Sequence, residues 1–273
     1  MPCVRDFLRE TSLPRLEVQM LLQHVLQVPR AWLIAHDTDP IDETRTQQFL
    51  MLARRRQAGE PMAYLLGVRE FMGHDFRVTP DVLIPRADTE VLVETAIGII
   101  RQQQQAPVRV IDLGTGSGAI AVSVALACPQ AFVVATDSSA AALDVARLNA
   151  RVLGAQVRFF QGNWYDALPS DTPLFDLIVA NPPYIHANDP HLIQGDLRFE
   201  PSGALTDGYD GLRDLSILIS GAGQWLKPGG ALWLEHGWDQ AHAVRSMLIG
   251  EGFKRVESLT DLAGIERISG GYL

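Results

Sequence analysis

The segment Asn181-Pro182-Pro183-Tyr184 combines residue types that could hold a planar NH2 group. It follows the apolar run 175–180, so it lies where a buried strand is expected to end. The two prolines lack backbone N–H groups and stop the sheet ladder, and Pro182 holds Asn181 in an extended conformation. The side-chain carbonyl of Asn181 and the backbone carbonyl of Pro182 then offer two hydrogen-bond acceptors. Taken alone, the segment leaves a proline-rich strand exit without chemistry as the alternative.

A glycine-rich turn further upstream has the pattern of a cofactor-binding loop. It joins an expected strand to a helix of small residues, and its glycines allow a ligand to approach the backbone closely. Its candidate cofactor contacts are Gly114, Thr115, Gly116, Ser117 and Gly118. The next strand is expected to end in Asp137, where a carboxylate can accept hydrogen bonds from both ribose hydroxyls of an adenosine-type cofactor. The spacing Gly114-x-Gly116-x-x-Ala119 also matches the dinucleotide fingerprint, which leaves a nicotinamide cofactor as an alternative.

Further candidate side chains come from three other segments. Trp164 follows a third expected strand, where its ring could pack on adenine, and a core tryptophan is the alternative. Glu235 ends a later strand and could shape the mouth of a pocket, whereas His236 is expected to be packed or hydrogen-bonded rather than a base. Arg86 and Glu90 could also line the site, although the acidic first turn of a helix is the favoured explanation of Asp88-Thr89-Glu90.

From Val108 onward, apolar runs typical of strands alternate with segments typical of helices, which predicts an α/β fold with a parallel sheet. The expected strands are 108–113, 131–136, 157–161, 175–180, 231–235, 253–259 and 265–270. The expected helices are 118–128, 139–153, 212–226 and 239–251. Ligands of such sheets bind beyond the carboxyl ends of the strands. The glycine turn, Asp137, Trp164 and Asn181 are therefore expected to meet at one crevice.

The first 60 residues or so have helical spacing of their apolar side chains and predict a small helical bundle. The run Arg54–Arg56 is expected to complement the dipole at the end of a helix, with RNA contact as the alternative. β-like runs at 76–78 and 82–84 predict a hairpin, and 102–105 is expected to be a solvated tract. The predicted organisation is a helical substrate-recognition domain over 1–72, a β-hairpin linker over 73–86 and a catalytic domain over 87–273.

The composition is that of an ordinary globular protein, with 47% hydrophobic residues, 20% charged residues and a net charge of −9. Residues 76–273 carry 14 basic and 22 acidic side chains, which argues against binding to the phosphate backbone of a nucleic acid. The two cysteines are far apart and the seven histidines lack ligand spacing, so no metal site is expected. No apolar run approaches the roughly 20 residues that span a bilayer, so we expect a cytoplasmic protein.

These features together make the sequence similar to the class I S-adenosylmethionine-dependent methyltransferases, and within them to the bacterial release factor glutamine methyltransferases. The resemblance covers nearly the full length and depends on an ordered set of motifs. The motifs are Glu60–Phe71, Leu83–Glu90, Asp112–Ile120, Asn181–Ile185, Arg198–Pro201, Ala204–Gly208 and Leu234–Gly237. The chain departs from the family pattern at Ala87, where proline is common, and at Ile265-Glu266. Both departures concern local loop geometry.

The resemblance implies a seven-stranded, mostly parallel class I methyltransferase sheet, which makes 87–273 the S-adenosylmethionine-dependent methyltransferase domain, preceded by a helical domain that helps engage a protein substrate. It implies methyl transfer from S-adenosylmethionine, which leaves S-adenosylhomocysteine. The acceptor would be the side-chain amide nitrogen of the glutamine in the Gly-Gly-Gln motif of class I peptide chain release factors. Neither a nucleic acid nor a membrane is required.

In the expected mechanism, Asn181 and the Pro182 carbonyl hold the substrate NH2 group in line with the sulfonium methyl carbon, and Tyr184 forms a wall beside it. Pro183 completes the substrate contacts, and Asn181 also borders the cofactor. Three rival functions remain: a glutamine methyltransferase of a ribosomal protein, a DNA or RNA amino-methyltransferase, and a nicotinamide oxidoreductase or catalytically silent cofactor-binding module.

Overall fold

The computed structural model describes residues 1–103 and 107–273, so the expected tract 102–105 lies partly outside the described residues. The chain divides into two compact units, Met1–Val68 and Arg69–Leu273.

The first unit is a helical bundle, as its apolar spacing predicted. Its helices are α1 (Val4–Glu10), α2 (Arg15–Leu26), α3 (Arg30–Ala35), α4 (Glu43–Gln57) and α5 (Met62–Leu66). Leu21, Leu22 and Phe49 lie at the centre of its core. The arginines in the last turn of α4 include Arg55, which pairs with Glu60, and Arg56, which pairs with Glu17. Both guanidinium groups are therefore paired with carboxylates of the same unit.

The second unit contains a two-stranded hairpin and a seven-stranded sheet with its helices. The hairpin strands are β1 (Val68–Phe71) and β2 (His74–Arg77), of which Val68 still belongs to the first unit. The sheet strands are β3 (Arg109–Leu113), β4 (Phe132–Asp137), β5 (Val157–Gln161), β6 (Phe175–Ala180), β7 (Leu226–Glu235), β8 (Lys254–Thr260) and β9 (Glu266–Tyr272). The helices are α6 (Glu90–Gln102), α7 (Ala119–Ala127), α8 (Ala140–Leu153), α9 (Arg213–Ala222) and α10 (Ala241–Gly250).

The strand order of the sheet is β5-β4-β3-β6-β7-β9-β8. The strands β3 to β7 pair in parallel, whereas β9 runs antiparallel to both of its neighbours, β7 and β8. The chain moves outward from β3 to β5 and then returns to place β6 on the other side of β3. The crevice at the carboxyl ends of β3 and β6 is therefore the switch point at which open α/β sheets bind ligands.

Two apolar layers cover the faces of the sheet, because successive strand residues point to opposite sides. Val110 of β3 packs into the layer that includes α6 and α7, and its neighbour Ile111 packs into the layer that includes α9 and α10. Helix α7 is apolar on nearly all sides, and Ala119–Ala125 are all buried. Both layers hold the carboxyl ends of β3 and β6 in a rigid frame.

The structure confirms the strands 157–161 and 175–180 to the residue and, apart from the start of β7, the other expected strands and helices of the second unit to within a few residues. It corrects the hairpin, whose strands are Val68–Phe71 and His74–Arg77, whereas 82–84 is not a strand. The turn has positive φ at Met72 (52°) and Gly73 (76°), as in a type I′ turn. Strand β7 also begins earlier than expected, at Leu226, because it continues through a Pro-Gly-Gly sequence.

Candidate active site

A cavity of about 460 Å³ lies beyond the carboxyl ends of β3, β4 and β6 in the second unit. Nine of the candidate site residues from the sequence line it. They are Arg86, Gly114, Thr115, Gly116, Ser117, Asp137, Trp164, Asn181 and Pro183. The cavity joins the glycine turn to the Asn-Pro-Pro-Tyr segment in one space, as the α/β pattern predicted.

Two glycines of the turn, Gly114 and Gly118, lie close to neighbouring side chains. Gly114 has φ of 76°, and a β-carbon built on it would lie 2.8 Å from Cζ3 of Trp164. Gly118 also has positive φ, 82°, and its β-carbon would lie 3.2 Å from Cβ of Ala146. Gly114 thus makes room for the indole at the cavity, whereas Gly118 lies outside the described lining and lets α7 pack closely on α8.

Asp137 links the end of β4 to the glycine turn through both of its carboxylate oxygens. Oδ2 accepts a hydrogen bond from the backbone N–H of Gly116 (2.8 Å), and Oδ1 accepts one from Ser139 (2.9 Å). Burial raises the pKa of Asp137, although the backbone N–H groups of Ser139, Gly116 and Ser138 lower it. A carboxylate oxygen accepts more than one hydrogen bond, so capacity for ligand hydroxyls remains at the cavity.

Asp112 supports the same turn from the inside of the sheet. Its Oδ2 accepts hydrogen bonds from the Thr115 hydroxyl (2.6 Å) and the backbone N–H of Ala121 (3.2 Å). Burial raises its pKa to about 7, against these hydrogen bonds, and the charge of Asp137 adds to the rise. Asp112 therefore fixes the turn without lining the cavity within the described part of the chain.

Trp164 lines the cavity opposite Gly114 with φ of 46°, in a backbone region that aromatic residues seldom adopt. Burial and the charge of Asp207 raise the pKa of Asp214, whereas the indole of Trp164 lowers it. Gly114 leaves the room that the ring occupies. This placement leaves an indole face available for a flat ring in the cavity.

Asn181 comes directly after β6, and its side chain is oriented by a hydroxyl. The amide Nδ2 donates a hydrogen bond to Oγ1 of Thr89 (3.2 Å), and both residues line the cavity. Thr89 lies immediately before α6 and is 4% exposed. With Nδ2 engaged in this way, the carbonyl oxygen of the same amide is left for a ligand.

Tyr184 and Glu235 lie behind the cavity wall. Tyr184 Oη donates a hydrogen bond to Oε1 of Glu235 (3.1 Å), and the tyrosine ring packs against the apolar layer of α9 and α10. Burial raises the pKa of Glu235 to about 7 and also raises that of Tyr184. Within the described residues, neither Pro182 nor Tyr184 belongs to the lining of the cavity. The role of Tyr184 as a wall for the substrate amide stays a prediction.

The turn after Tyr184 is tied to helix α10 by one glutamine. Gln240 Nε2 donates to the carbonyl oxygens of Tyr184 (3.0 Å) and Gly211 (3.3 Å), and its Oε1 accepts from the N–H of Gly237 (2.8 Å). Gly211 has φ of 82°, and a β-carbon on it would lie 2.2 Å from the Tyr184 oxygen. The path of the Asn-Pro-Pro-Tyr segment is thus fixed at its far end.

Arg86 and Glu90, both named from the sequence as possible site residues, have different roles in the structure. Arg86 lines the cavity and is paired with buried Glu200, whose other oxygen accepts from the N–H of Ile84 (3.1 Å). Glu90 instead accepts from the N–H of Met72 (2.9 Å) and so holds the turn of the hairpin.

His236 is buried and hydrogen-bonded as expected. One ring nitrogen lies 2.7 Å from the Ser269 hydroxyl and the other 2.9 Å from the carbonyl oxygen of Gly237. Burial lowers the pKa of His236. Both ring nitrogens are engaged and His236 is not among the described residues that line the cavity, so it is unsuited to act as a general base at this site.

Two further residues of the site escaped the sequence interpretation. Thr89 stood inside a segment that also fits an ordinary first helical turn, and only its contact with Asn181 distinguishes it. Asp214 lies in the first turn of α9, where an acidic residue is typical of many helices, and only the folded structure brings it to the cavity that Trp164 also lines.

No cluster of three or more potential metal ligands occurs among the residues that the structure describes. The helices described here include none long and apolar enough to cross a bilayer.

Comparison with known proteins identifies the family of the chain. The profile of the PrmC N-terminal domain matches residues 3–67, and that of the methyltransferase small domain matches residues 89–195. Release factor glutamine methyltransferases of Bordetella pertussis and Burkholderia pseudomallei are 62% and 52% identical to it, over 100% and 98% of this chain and 100% and 95% of theirs. A methyltransferase structure from Pyrococcus furiosus aligns with a TM-score of 0.52 at 18% identity, over 85% of this chain and 98% of that one, and shares the fold. With its site at the switch point of a methyltransferase sheet, the chain belongs to the release factor glutamine methyltransferase family.

Proposed function

We propose that this chain transfers a methyl group from S-adenosylmethionine to the side-chain amide nitrogen of the glutamine in the Gly-Gly-Gln motif of class I peptide chain release factors. The observation that carries the proposal is the shared cavity. In it, the amide acceptor of Asn181 after β6 faces the glycine turn after β3 and the carboxylate of Asp137 at the end of β4. The names of the relatives from Bordetella pertussis and Burkholderia pseudomallei support the release factor as the substrate.

The cavity fits an adenosine-type cofactor in size and in donor set. Its volume of about 460 Å³ lies within the range of small-molecule sites. Asp137 would hold the ribose hydroxyls, Trp164 would pack on the adenine, and the backbone of Gly114–Ser117 would contact the remaining part of the cofactor. When bound there, S-adenosylmethionine supplies an electrophilic methyl group.

The residues of the Asn-Pro-Pro-Tyr segment would orient the acceptor nitrogen. An amide nitrogen is a poor nucleophile because its lone pair is delocalised into the carbonyl. Asn181 Oδ1 and the Pro182 carbonyl would accept the two N–H hydrogens of the substrate, hold the nitrogen in place and stabilise the positive charge that develops on it. The proton leaves afterward, so the site needs no dedicated base. Tyr184 and Pro183 would confine the substrate amide.

We further assign substrate recognition to the helical N-terminal domain, predicted over 1–72, with the hairpin linker and the methyltransferase domain after it. The match of a separate domain profile to residues 3–67 supports an independent role for this part. A release factor substrate also implies a cytoplasmic enzyme that does not require nucleic acid. Hydrogen–deuterium exchange with and without release factor tests the assignment, because recognition by this domain should slow exchange within Met1–Val68. Unchanged exchange there would contradict it.

The proposal is tested with radiolabelled S-adenosylmethionine, purified release factor and its Gln→Ala variant in the Gly-Gly-Gln motif. Ribosomal protein and DNA serve as competing substrates. Label is expected on the release factor and not on its variant. Equal labelling of the variant would overturn the glutamine assignment, and preferential labelling of ribosomal protein or DNA would replace the substrate. A preference of the free enzyme for NAD over S-adenosylmethionine would overturn the reaction class.

A further inference from the structure

The side chain of Asn181 can present either of two chemical faces to a substrate NH2 group. With its carbonyl oxygen toward the cavity, it accepts a hydrogen bond from the NH2 group. With the amide turned over, its own NH2 group would meet the substrate NH2 group, donor against donor. The proposed reaction therefore depends on which way this amide is held, and rotation about one bond separates a working site from a blocked one.

Thr89 is the neighbour that holds the amide. Its Oγ1 lies 3.2 Å from Asn181 Nδ2, and the threonine is 4% exposed, so water hardly competes for its hydroxyl. A hydroxyl has a single proton to donate. If Thr89 donated it to Asn181, the amide would turn over and lose its acceptor at the cavity. The direction of this hydrogen bond therefore decides the face of Asn181.

Glu235 supplies the acceptor that sets this direction. It is 1% exposed at the end of β7, and its Oε1 already accepts from Tyr184 Oη at 3.1 Å. Its second oxygen, Oε2, makes no regular hydrogen bond to any described residue. Ala180 of β6 pairs with Leu234 of β7, so Asn181, with the Thr89 hydroxyl bonded to it, and Glu235 both follow this pair at the same end of the sheet. The hydroxyls of Thr89 and Tyr184 also lower the pKa of Glu235 against the effect of burial. A buried carboxylate oxygen without a partner is costly, so the Thr89 hydroxyl gains most by donating its hydrogen bond to Glu235.

We propose that Thr89 and Glu235 are positioning residues: Glu235 accepts a hydrogen bond from the Thr89 hydroxyl, which leaves Thr89 Oγ1 as the acceptor for Asn181 Nδ2 and keeps Asn181 Oδ1 facing the substrate. The inference rests on the proposed function, because it assigns Asn181 Oδ1 to an NH2 substrate. The same carboxylate holds Tyr184, so one buried side chain sets both ends of the Asn181–Tyr184 segment. Neither Thr89 nor Glu235 needs to touch the reacting atoms.

The test compares four variants with the parent enzyme. Thr89→Val removes the hydroxyl at nearly constant volume, and Thr89→Ser restores it. Glu235→Gln keeps an oxygen for Tyr184 but offers an NH2 group to Thr89, which would reverse the hydroxyl and turn Asn181 over. Thr95→Val is the matched control, because the Thr95 hydroxyl bonds the carbonyl of Val91 within α6 (2.7 Å), and Thr95 is not among the described residues that line the cavity.

The readouts are kcat, KM for the protein substrate, the Kd of S-adenosylhomocysteine and the thermal midpoint. We expect Thr89→Val and Glu235→Gln to lower kcat at least about tenfold, since one misdirected polar group at a reacting centre costs this much or more. KM and Kd should stay within about threefold of the parent. Thr89→Ser should recover most of the lost kcat, and Thr95→Val should match the parent. A Thr89→Val enzyme as fast as Thr95→Val, or a Thr89→Ser enzyme as slow as Thr89→Val, would overturn the inference.

Failure of the proposed function gives a different pattern. The variants are ranked on whichever substrate the parent labels, be it release factor, ribosomal protein or DNA, since each offers an NH2 group. Labelling of another substrate with the expected ranking would overturn the release factor and keep the positioning role. Absence of labelling on all three substrates would overturn both.

Discussion

The indole of Trp164 occupies the space that a side chain on Gly114 would need, since a β-carbon there would lie 2.8 Å from Cζ3 of the ring. Substitution of Gly114 by alanine must therefore displace the indole from the cavity and also strain a backbone at φ of 76°. We expect Gly114→Ala to weaken S-adenosylhomocysteine binding at least about tenfold by calorimetry, which is about 1.4 kcal/mol.

Gly154→Ala is the matched control for this substitution. Gly154 ends α8 with a similar φ of 80°, but nothing lies within 4 Å of its β-carbon position. It should lose about 1 kcal/mol of stability and keep its ligand affinity. Equal affinities of the two variants would refute the role of the contact between Gly114 and Trp164.

Asp137 uses both carboxylate oxygens as acceptors for backbone N–H groups, so an amide cannot replace it. In Asp137→Asn, the NH2 group would oppose the N–H of either Gly116 or Ser139. We expect S-adenosylhomocysteine to bind about tenfold more weakly or worse, as measured by calorimetry. Asp144→Asn, on the exposed face of α8, serves as control and should bind normally. Unchanged affinity in Asp137→Asn would speak against a ribose contact.

Asn181→Ala should separate chemistry from cofactor binding. Loss of the Oδ1 acceptor removes an interaction that is strongest as charge develops on the substrate nitrogen, so kcat should fall by about two orders of magnitude or more. The Kd of S-adenosylhomocysteine should stay within about threefold. Exposed Asn188 provides the control variant Asn188→Ala, which should be fully active. An Asn181→Ala enzyme as active as the parent would sink the assignment of Asn181.

Asp112 predicts a pH dependence of stability. Burial raises its pKa from an ordinary 3.8 to about 7. The folded state then holds a proton that the unfolded state has lost, so this group makes the protein less stable as pH rises from about 4 to 7. Asp112→Asn keeps an acceptor for Thr115 and cannot ionise. Its free energy of unfolding relative to the parent should therefore increase between pH 5 and pH 8, on the order of 2 kcal/mol.

Urea unfolding of parent and variant at both pH values measures this difference. Asp144→Asn is the control, because its exposed carboxylate should give a nearly constant difference from the parent. A difference for Asp112→Asn that does not change with pH would contradict a raised pKa at this position.

A side chain at Gly211 is expected to displace the Asn-Pro-Pro-Tyr segment, although Gly211 lies outside the glycine turn. A β-carbon on Gly211 would lie 2.2 Å from the Tyr184 carbonyl oxygen, so Gly211→Ala must move the Asn-Pro-Pro-Tyr segment or break its bond to Gln240. We expect kcat to fall at least about tenfold, because small displacements of positioning groups are costly. Gly208→Ala, at φ of 78° with open space around it, should keep its kcat. Steady-state kinetics with release factor distinguishes the two.

Much of the fold could be predicted because the parallel strands are continuous apolar runs that end in polar or glycine residues. The hairpin could not, because its type I′ turn uses Met72-Gly73 where Asn-Gly is the usual signal. Val82 and Ile84 have strand-like side chains, but the N–H of Ile84 bonds the carboxylate of Glu200 rather than another strand. The preference of such apolar residues for strands reflects their burial on a flat, pleated surface. A loop can bury them equally well when a side-chain acceptor bonds its N–H group.

The parts of the site that follow strand ends were predictable from their order in the chain. The contacts of Thr89 with Asn181 and of Trp164 with Asp214 were not, because each joins segments separated by about 50 residues or more. The same hydroxyl and carboxyl residues occur at helix starts whether they cap the helix or orient a neighbouring side chain. Only the packed structure tells the two apart.

The position of β9 has a consequence for the order in which the sheet is completed. β9 follows β8 in the chain but lies between β7 and β8, so β8 has no partner in this sheet until β9 has been synthesised. A nascent chain that ends before Glu266 would carry β7 with an open edge and β8 detached, and such edges invite pairing with other chains. Folding from the N-terminus can thus assemble the glycine turn early, but the frame around Glu235 closes only with the final strand of the sheet.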